Sequence, residues 1–371
     1  MKISEVVAVP VSVPLTTPYH ISRGIMTHFP SVIVRITTDD GLTGFGESVP
    51  LSVVGDVVPL AERINTTVRD VLMGRDPFDI EAHVAAILSA LDHDLDTLGG
   101  VDIALWDLAG KALNTPVFNL MGGRCNDPIL VDYTMGAQSP AQMADRAAEI
   151  CATGYRGLVV KVTGDVAQDV ERVRAVKERV AADITVRVDC NGGYSRDDAR
   201  RFLEAVKPLG LEFVEQPVVG DDLAGLRLCR EIGVPISVDE SLNTLGEALA
   251  LISEQACDVF NIKIPKVGGL TLAKKIAAVG EAAGMPIVVG GRTTLELSRH
   301  ASRHFAASTP GTRGRAHEGP GPASQALSDD VVAVRSTLES VGAQGSTISV
   351  ETAAGLGATV IWDKVEHFRL S

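Results

Sequence analysis

Ile184-Thr185-Val186-Arg187-Val188-Asp189-Cys190-Asn191 is a short, β-branched run that stops at an acid. The same pattern recurs on both sides. Runs at 158–162, 211–214, 235–238 and 258–262 stop at Lys161, Glu215, Asp239 and Lys263, so the five marked positions stand 28, 26, 24 and 24 residues apart. Each run is followed by an apolar period near that of a helix, with helices expected at 140–153, 166–181, 195–207, 223–232, 245–255, 270–283 and 295–307. A strand, a crossover helix and their turns consume about this much chain, so the spacing predicts βα units with the marked residues at the C-terminal strand ends. Parallel strands with right-handed crossovers close economically into a barrel. The competing open doubly wound sheet needs a glycine-rich phosphate loop, which Met135-Gly136-Ala137-Gln138-Ser139 matches poorly.

Working outward, seven units are clear between 129 and 290, and an eighth is blurred by the Gly, Pro and Arg of 310–322, with 313–318 as the candidate strand. Residues 1–122 have another rhythm. Strands are expected at 3–9, 32–38 and 42–47, with Asp39-Asp40-Gly41 as a hairpin turn, then helices at 57–73, 80–91 and 101–113, the last stopped by Asn114-Thr115-Pro116. This is an α+β domain placed before an α/β domain at 123–340. Residues 341–371 cannot form a further unit and are expected to pack back on the first domain.

A chain of 371 residues, 45% hydrophobic, can bury a large core, and its formal net charge of -13 argues against nucleic acid or an anionic membrane as a partner, since both would need a basic face. No apolar run reaches the roughly 18 residues of a membrane helix, and the first residues read as a strand rather than a signal peptide. Five cysteines with no CxxC pair indicate neither a disulfide framework nor a zinc site, so a cytoplasmic location is expected.

In a βα barrel the C-terminal strand ends converge on one mouth. Asp189, Glu215 and Asp239 would crowd there and repel one another unless a cation sits among them, and oxygen-only ligands favour Mg²⁺, with Mn²⁺ as the alternative. Lys161 precedes the trio by one strand and Lys263 follows it by one, so the two ammonium groups should face each other across the metal. Burial and the cation should both lower their pKa toward a value useful for proton transfer. Lys266 reads as a loop or helix-start charge.

These residues resemble the enolase superfamily, specifically its muconate lactonizing enzyme subgroup, along nearly the whole chain. The matching stretches are Thr43-Gly44-Phe45-Gly46-Glu47, Asp102-Ile103-Ala104-Leu105-Trp106-Asp107, Leu120-Met121-Gly122-Gly123, Lys161, Asp189 with Asn191, Glu215-Gln216-Pro217, Asp239-Glu240 and Asn261-Ile262-Lys263. The resemblance implies a (β/α)7β-type modified TIM barrel under an N-terminal capping domain, and a Mg²⁺-bound substrate carboxylate. It also implies an enediolate formed when one lysine removes the α-proton, and association into a dimer or octamer. A racemase or epimerase of an amino-acid derivative, or a muconate-type cycloisomerase, would use that step.

The subgroup's Lys-x-Lys at the second strand is here Val159-Val160-Lys161, so Val159 stands where a lysine is usual. Glu296, after Gly290-Gly291-Arg292, is a candidate for contact with the substrate carboxylate or a helix-start glutamate. The seventh strand ends without the histidine base of acid-sugar dehydratases, and the eighth lacks the Asp-x-Asp pair that grips a dipeptide ammonium. Specificity should come from cap loops at 16–30 and 48–56, with Tyr19, His20, Arg23, His28 and Asp56 as polar candidates. Arg23 would suit a second anionic group. The alternatives are dehydration of a hydroxy acid, a Schiff-base aldolase that would not need the acidic trio, and a non-catalytic scaffold.

Overall fold

Three antiparallel strands, β1 (Ile3–Ile21), β2 (Gly24–Thr38) and β3 (Thr43–Ser48), form the first sheet in the order β1-β2-β3. The computed structural model describes residues 1–21, 24–50, 56–319, 325–335, 340–342 and 345–370. β1 and β2 run well past the expected 3–9 and 32–38. Pro10 and Pro14 disguised β1 as a shorter strand, but β1 is an edge strand, where a missing N–H need not break a ladder. The segment 16–30 is therefore the outer part of the β1–β2 hairpin, with Tyr19 opposite Met26 and His20 opposite Ile25, rather than a loop.

Helices α1 (58–72, with a π-helical turn at Ile64–Val68), α2 (Ile80–Ala90), α3 (Leu95–Ala112) and α4 (Val117–Leu120) complete the cap. α3 lies directly on β3. A Cβ on Gly46 would sit 1.9 Å from the Gly100 carbonyl and one on Gly44 2.2 Å from that of Ala104, so only glycine permits this approach.

The second domain alternates β4 (Ile129–Met135), α5 (Pro140–Ala152), β5 (Gly157–Lys161), α6 (Val166–Arg179), β6 (Thr185–Asp189), α7 (Arg196–Val206), β7 (Val214–Glu215) and α8 (Leu223–Glu231). It continues with β8 (Ile236–Val238), α9 (Leu245–Ser253), β9 (Val259–Ile262), α10 (Leu270–Ala282), β10 (Ile287–Val289), α11 (Glu296–Ser308) and β11 (His317–Glu318). β4 to β10 pair in sequence and in parallel, and β11 pairs with β4, so eight strands make a nearly closed barrel. Between β10 and β11 no ladder is formed among the described residues; the Val289 N–H instead donates to His317 Nδ1 at 3.0 Å. The two-residue β11 is why the eighth unit was hard to read.

The tail divides its contacts. β12 (Ser340–Gly342) and β13 (Gly345–Ile348) form a hairpin that adds to the barrel sheet antiparallel to β4. The last helix, α12 (Trp362–His367), lies on the cap, where Arg35 stacks over Trp362 at 4.1 Å and the Ser12 N–H donates to Phe368 O at 2.9 Å. No described helix is long and apolar enough to cross a membrane.

Candidate active site

Register sets the site's floor. Lys161 pairs with Asp189 and Asp189 with Glu215 across β5, β6 and β7, so three marked residues end their strands level with one another. Asp239 and Lys263 follow the last residues of β8 and β9. β5 and β9 are the second and sixth of eight strands, which puts Lys161 and Lys263 on opposite sides of the mouth. The three acids are nearly buried, at 3% exposure for Asp189 and 5% for Glu215 and Asp239.

Each acid has distinct partners. Asp189 accepts from Lys161 Nζ and, at 2.9 Å, from the Asn191 N–H, while Lys161 also reaches Asn191 Oδ1 at 3.1 Å. Asn191 adopts a left-handed φ of +45° and extends Nδ2 to Glu240 Oε1 at 3.2 Å. Asp239 accepts from Lys263 at 2.7 Å and from Lys266 at 2.6 Å. Glu215 has no lysine in hydrogen-bond contact; Asn261 Nδ2 donates to it at 2.8 Å. Gln216, with φ +41°, accepts from the Asp239 and Ser241 N–H groups at 3.1 and 3.2 Å and donates to Val218 O at 2.9 Å, bracing the ends of β7 and β8.

The protein's own charges act on each group differently. Burial opposes the charge of Lys161, but Asp189 and Glu215 outweigh it; burial likewise opposes the charge of Lys263, where Asp239 and Glu215 prevail. By the protein's own groups alone both lysines are thus held as ammonium ions with raised pKa, whereas the expected lowering relied on a cation among the acids. Burial, reinforced by Asp189, pushes the Glu215 carboxyl well above its ordinary range. Burial also works to raise Asp239, yet Lys263 and Lys266 hold it below the usual carboxylate value. Lys266 does lie in the turn before α10, as expected, but it is 6% exposed, bonded to Asp239, and shifted downward by burial.

Among the described residues no three acidic, histidine or cysteine side chains converge as they stand on one ligand point, because Asp189 and Asp239 turn to lysines. The donor chemistry nevertheless fits a hard divalent cation. Glu215 is a buried carboxylate with no cation bonded to it, and the neighbouring Glu240 Oε2 is buried without a hydrogen-bond partner.

Glu296 is the first residue of α11, with its carboxylate on Arg303 at 2.8 Å and its N–H on Asp330 at 3.0 Å, so it occupies the helix-start place. The acid at the end of the eighth strand is Glu318, which accepts from the Gly291 N–H. Sequence reasoning ended its candidate eighth strand, 313–318, on this residue but gave it no role. Glu318, Glu296, Arg292, Arg299 and Arg303 line one cavity beside Gly290 and Gly291. Val159 is half-buried and pairs in register with Arg187.

Of the specificity candidates, Arg23 and the side chains of Tyr19 and His20 lie outside the described residues. His28 is an exposed residue of β2 whose Nδ1 lies 2.9 Å from Thr27 Oγ1. Asp56 is exposed and accepts from the Val58 N–H at 2.9 Å, a local turn contact at the start of α1. Residues 51–55 of the second cap segment lie outside the described residues.

Two family models cover the chain: the mandelate racemase / muconate lactonizing enzyme N-terminal domain matches residues 3–122, and the enolase C-terminal domain-like model matches 142–364. The N-succinyl-L-Arg/Lys racemase of Bacillus cereus is 34% identical over 313 residues, covering 82% of this chain and 84% of the relative. Its crystal structure superposes with a TM-score of 0.90 at 29% identity, covering 100% of this chain and 99% of the other. A 2-chloromuconate cycloisomerase from Rhodococcus opacus gives a TM-score of 0.91 at 27% identity with 100% of both chains covered. A dipeptide epimerase from Cytophaga hutchinsonii, solved with Mg and the dipeptide D-Ala-L-Val, gives 0.87 at 30% identity, covering 100% of this chain and 99% of the other.

Proposed function

The chain belongs to the mandelate racemase/muconate lactonizing enzyme group of the enolase superfamily, and from that premise we propose that it is a Mg²⁺-dependent isomerase acting α to a carboxylate. The observation that carries this reading is the placement of Lys161 and Lys263 on the second and sixth strands, on opposite sides of Asp189, Glu215 and Asp239. Asp189, Glu215 and Asp239 would hold the metal, and a related epimerase solved with Mg supports that choice of ion. When bound, Mg²⁺ supplies fixed positive charge against the second negative charge that a carboxylate gains as its α-proton leaves.

The rest of the work belongs to side chains of this protein. One lysine removes the α-proton from its face, and the other delivers a proton to the opposite face, which inverts the carbon. Each must first give up its carboxylate partner, and the lysine acting as base must also shed its proton while the other keeps one to deliver, so substrate entry has to displace the Lys161–Asp189 and Lys263–Asp239 pairs. Asn261 and Gln216 keep Glu215 and Asp239 oriented through that exchange. Glu318, at the end of the eighth strand, accepts from the Gly291 N–H and lines the cavity beside it. Val159 removes one positive charge from the Lys161 side and leaves apolar surface there.

Two facing lysines favour a racemase or epimerase of an amino-acid derivative, and a muconate-type cycloisomerase would use the same proton-transfer geometry. The eighth strand reads His317-Glu318-Gly319, without the acidic pair that would grip a dipeptide ammonium, so an N-acylated or otherwise uncharged nitrogen suits the site better. The test is a screen of N-acyl amino acids, proline derivatives and muconates in D₂O, following Cα exchange and inversion together. Exchange that needs metal and stops with EDTA is expected; exchange that proceeds equally without metal would overturn the mechanism.

A further inference from the structure

Five of the barrel helices begin on their own capping side chain. Ser139 caps α5, Asp165 α6, Ser195 α7, Asp222 α8 and Thr244 α9, each accepting from a backbone N–H in the first turn. α10 and α11 begin at Gly269 and Leu295, and neither residue makes a side-chain cap. Apart from the Glu296 N–H, which donates to Asp330 at 3.0 Å, N–H groups at both helix starts are met from the other domain. Asp102 of α3 accepts the Thr271 N–H at 3.0 Å and the Thr271 hydroxyl, and Trp106, one turn along α3, donates its indole N–H to that same hydroxyl at 2.9 Å. Glu47 of β3 accepts the Leu295 N–H at 2.8 Å through one oxygen and the Ser298 N–H at 3.0 Å through the other, with Ser31 Oγ donating at 2.6 Å.

Both acids are 0% exposed, and neither takes part in an ion pair among the described residues. A buried carboxylate without a cation is costly unless oriented N–H groups offset it, and here the positive ends of two helices do so in part, burial still pushing both carboxyls up to about 7. The dependence runs both ways: the helix starts need the carboxylates, and the carboxylates need the helix starts.

We infer that Glu47 and Asp102 are positioning residues, through which the cap domain fixes the Lys263 side of the barrel mouth while leaving the Lys161 side to its own capped helices. Gly269 follows Lys263 by six residues, and a Cβ on it would lie 2.3 Å from Asp102 Oδ2, so this turn is pressed against the clamp. The Glu47 clamp acts on the turn after β10, where a Cβ on Gly290 would lie 2.3 Å from Asn261 Oδ1 and 2.8 Å from Lys263 Cε. Both clamps thus converge on Lys263, Lys266 and Asn261, the groups that hold Asp239 and Glu215.

This inference rests on reading Lys161 and Lys263 as opposed bases, and one of its tests does not. In the wild-type protein, hydrogen exchange should find the Thr271, Leu295 and Ser298 amides as slow as helix-interior amides, although they lie in or beside first turns. Fast exchange at these amides overturns the clamp even if no variant folds and no substrate is known. In Asp102→Asn and Glu47→Gln, those amides should exchange faster. Exchange at Cα in D₂O should fall by about tenfold or more for the enantiomer deprotonated on the Lys263 side, and by less than about twofold for the other. Ser139→Ala, at a self-capped helix, should lower stability and leave both enantiomers alike. Equal loss for both enantiomers, or none, overturns the positioning role. Failure of the wild-type protein to exchange any substrate would instead count against the proposed function, with the amides still deciding the clamp.

Discussion

The two sides of the barrel are built by different rules. From β4 to α9 each unit carries its own helix start, and Ser139 and Thr244 even complete reciprocal capping boxes. From β9 onward the units borrow: α10 takes its cap from Asp102, α11 from Glu47 and Asp330, and β10 meets β11 through His317 rather than a ladder. The difference separates parts of the mouth that fold on local instructions from parts whose geometry exists only once the cap has docked. With a lysine proposed as base on each side, one reaction would report on both kinds of construction.

The comparison sharpens most at the metal. Replacing Glu215, the acid with no lysine bonded to it, by Gln should cut α-proton exchange by roughly a thousandfold or more. Titration of Mg²⁺ into the variant, followed calorimetrically, should show the matching loss of binding; unaltered binding would remove Glu215 from the ligand set. Next in size is the cap–barrel contact itself. Gly46→Ala forces a methyl into the Gly100 carbonyl and should lower the unfolding free energy by about 3 kcal/mol or more, beyond ordinary overpacking because backbone stands in the way. A denaturant midpoint equal to the wild type would mean that α3 and β3 are not held this closely.

The two kinds of cap then differ by a smaller margin. Ser139→Ala should cost about 1 kcal/mol, as an exposed cap does, whereas Asp102→Ala should cost about 2–3 kcal/mol because the Thr271 N–H and hydroxyl are left buried and unmet. Equal costs would erase the distinction between self-capped and borrowed starts.

The Glu47 clamp can also be tested through pH. Burial pushes the Glu47 carboxyl from 4.5 up to about 7, against the pull of Ser31, Leu295 and Ser298. A raised folded-state value means the stability is present below pH 4.5 and is lost as pH climbs toward about 7. The wild-type advantage over Glu47→Gln, measured by urea unfolding, should shrink across that interval and then level; a widening advantage would reverse the sign of the coupling.

The same division governs what could be read from the chain. The seven helix positions, the five marked strand ends and the opposition of the two lysines were legible because local periodicity and spacing encode them. The length of β1 was not, since Pro10 and Pro14 look like breakers until the strand is known to lie on an edge. Lys266 was placed as a loop or helix-start charge, but its bond to Asp239 was not visible because that partner is 27 positions away. Glu296 drew attention as the acid after a glycine pair, while Glu318 sat in a two-residue strand with no periodicity to mark it. Glu47 and Asp102 were visible as parts of matching stretches, yet their work depends on helix starts some 170 to 250 residues later, which no local pattern reveals.

The most direct test of opposed bases is Cα exchange in D₂O with each enantiomer of an accepted substrate, comparing Lys161→Met with Lys263→Met. Each variant should retain exchange with one enantiomer, lose it by about a hundredfold or more with the other, and fail to racemise. The two variants should retain opposite enantiomers. If both retain the same enantiomer, or either racemises at the wild-type rate, the lysines do not serve opposite faces and the account is wrong.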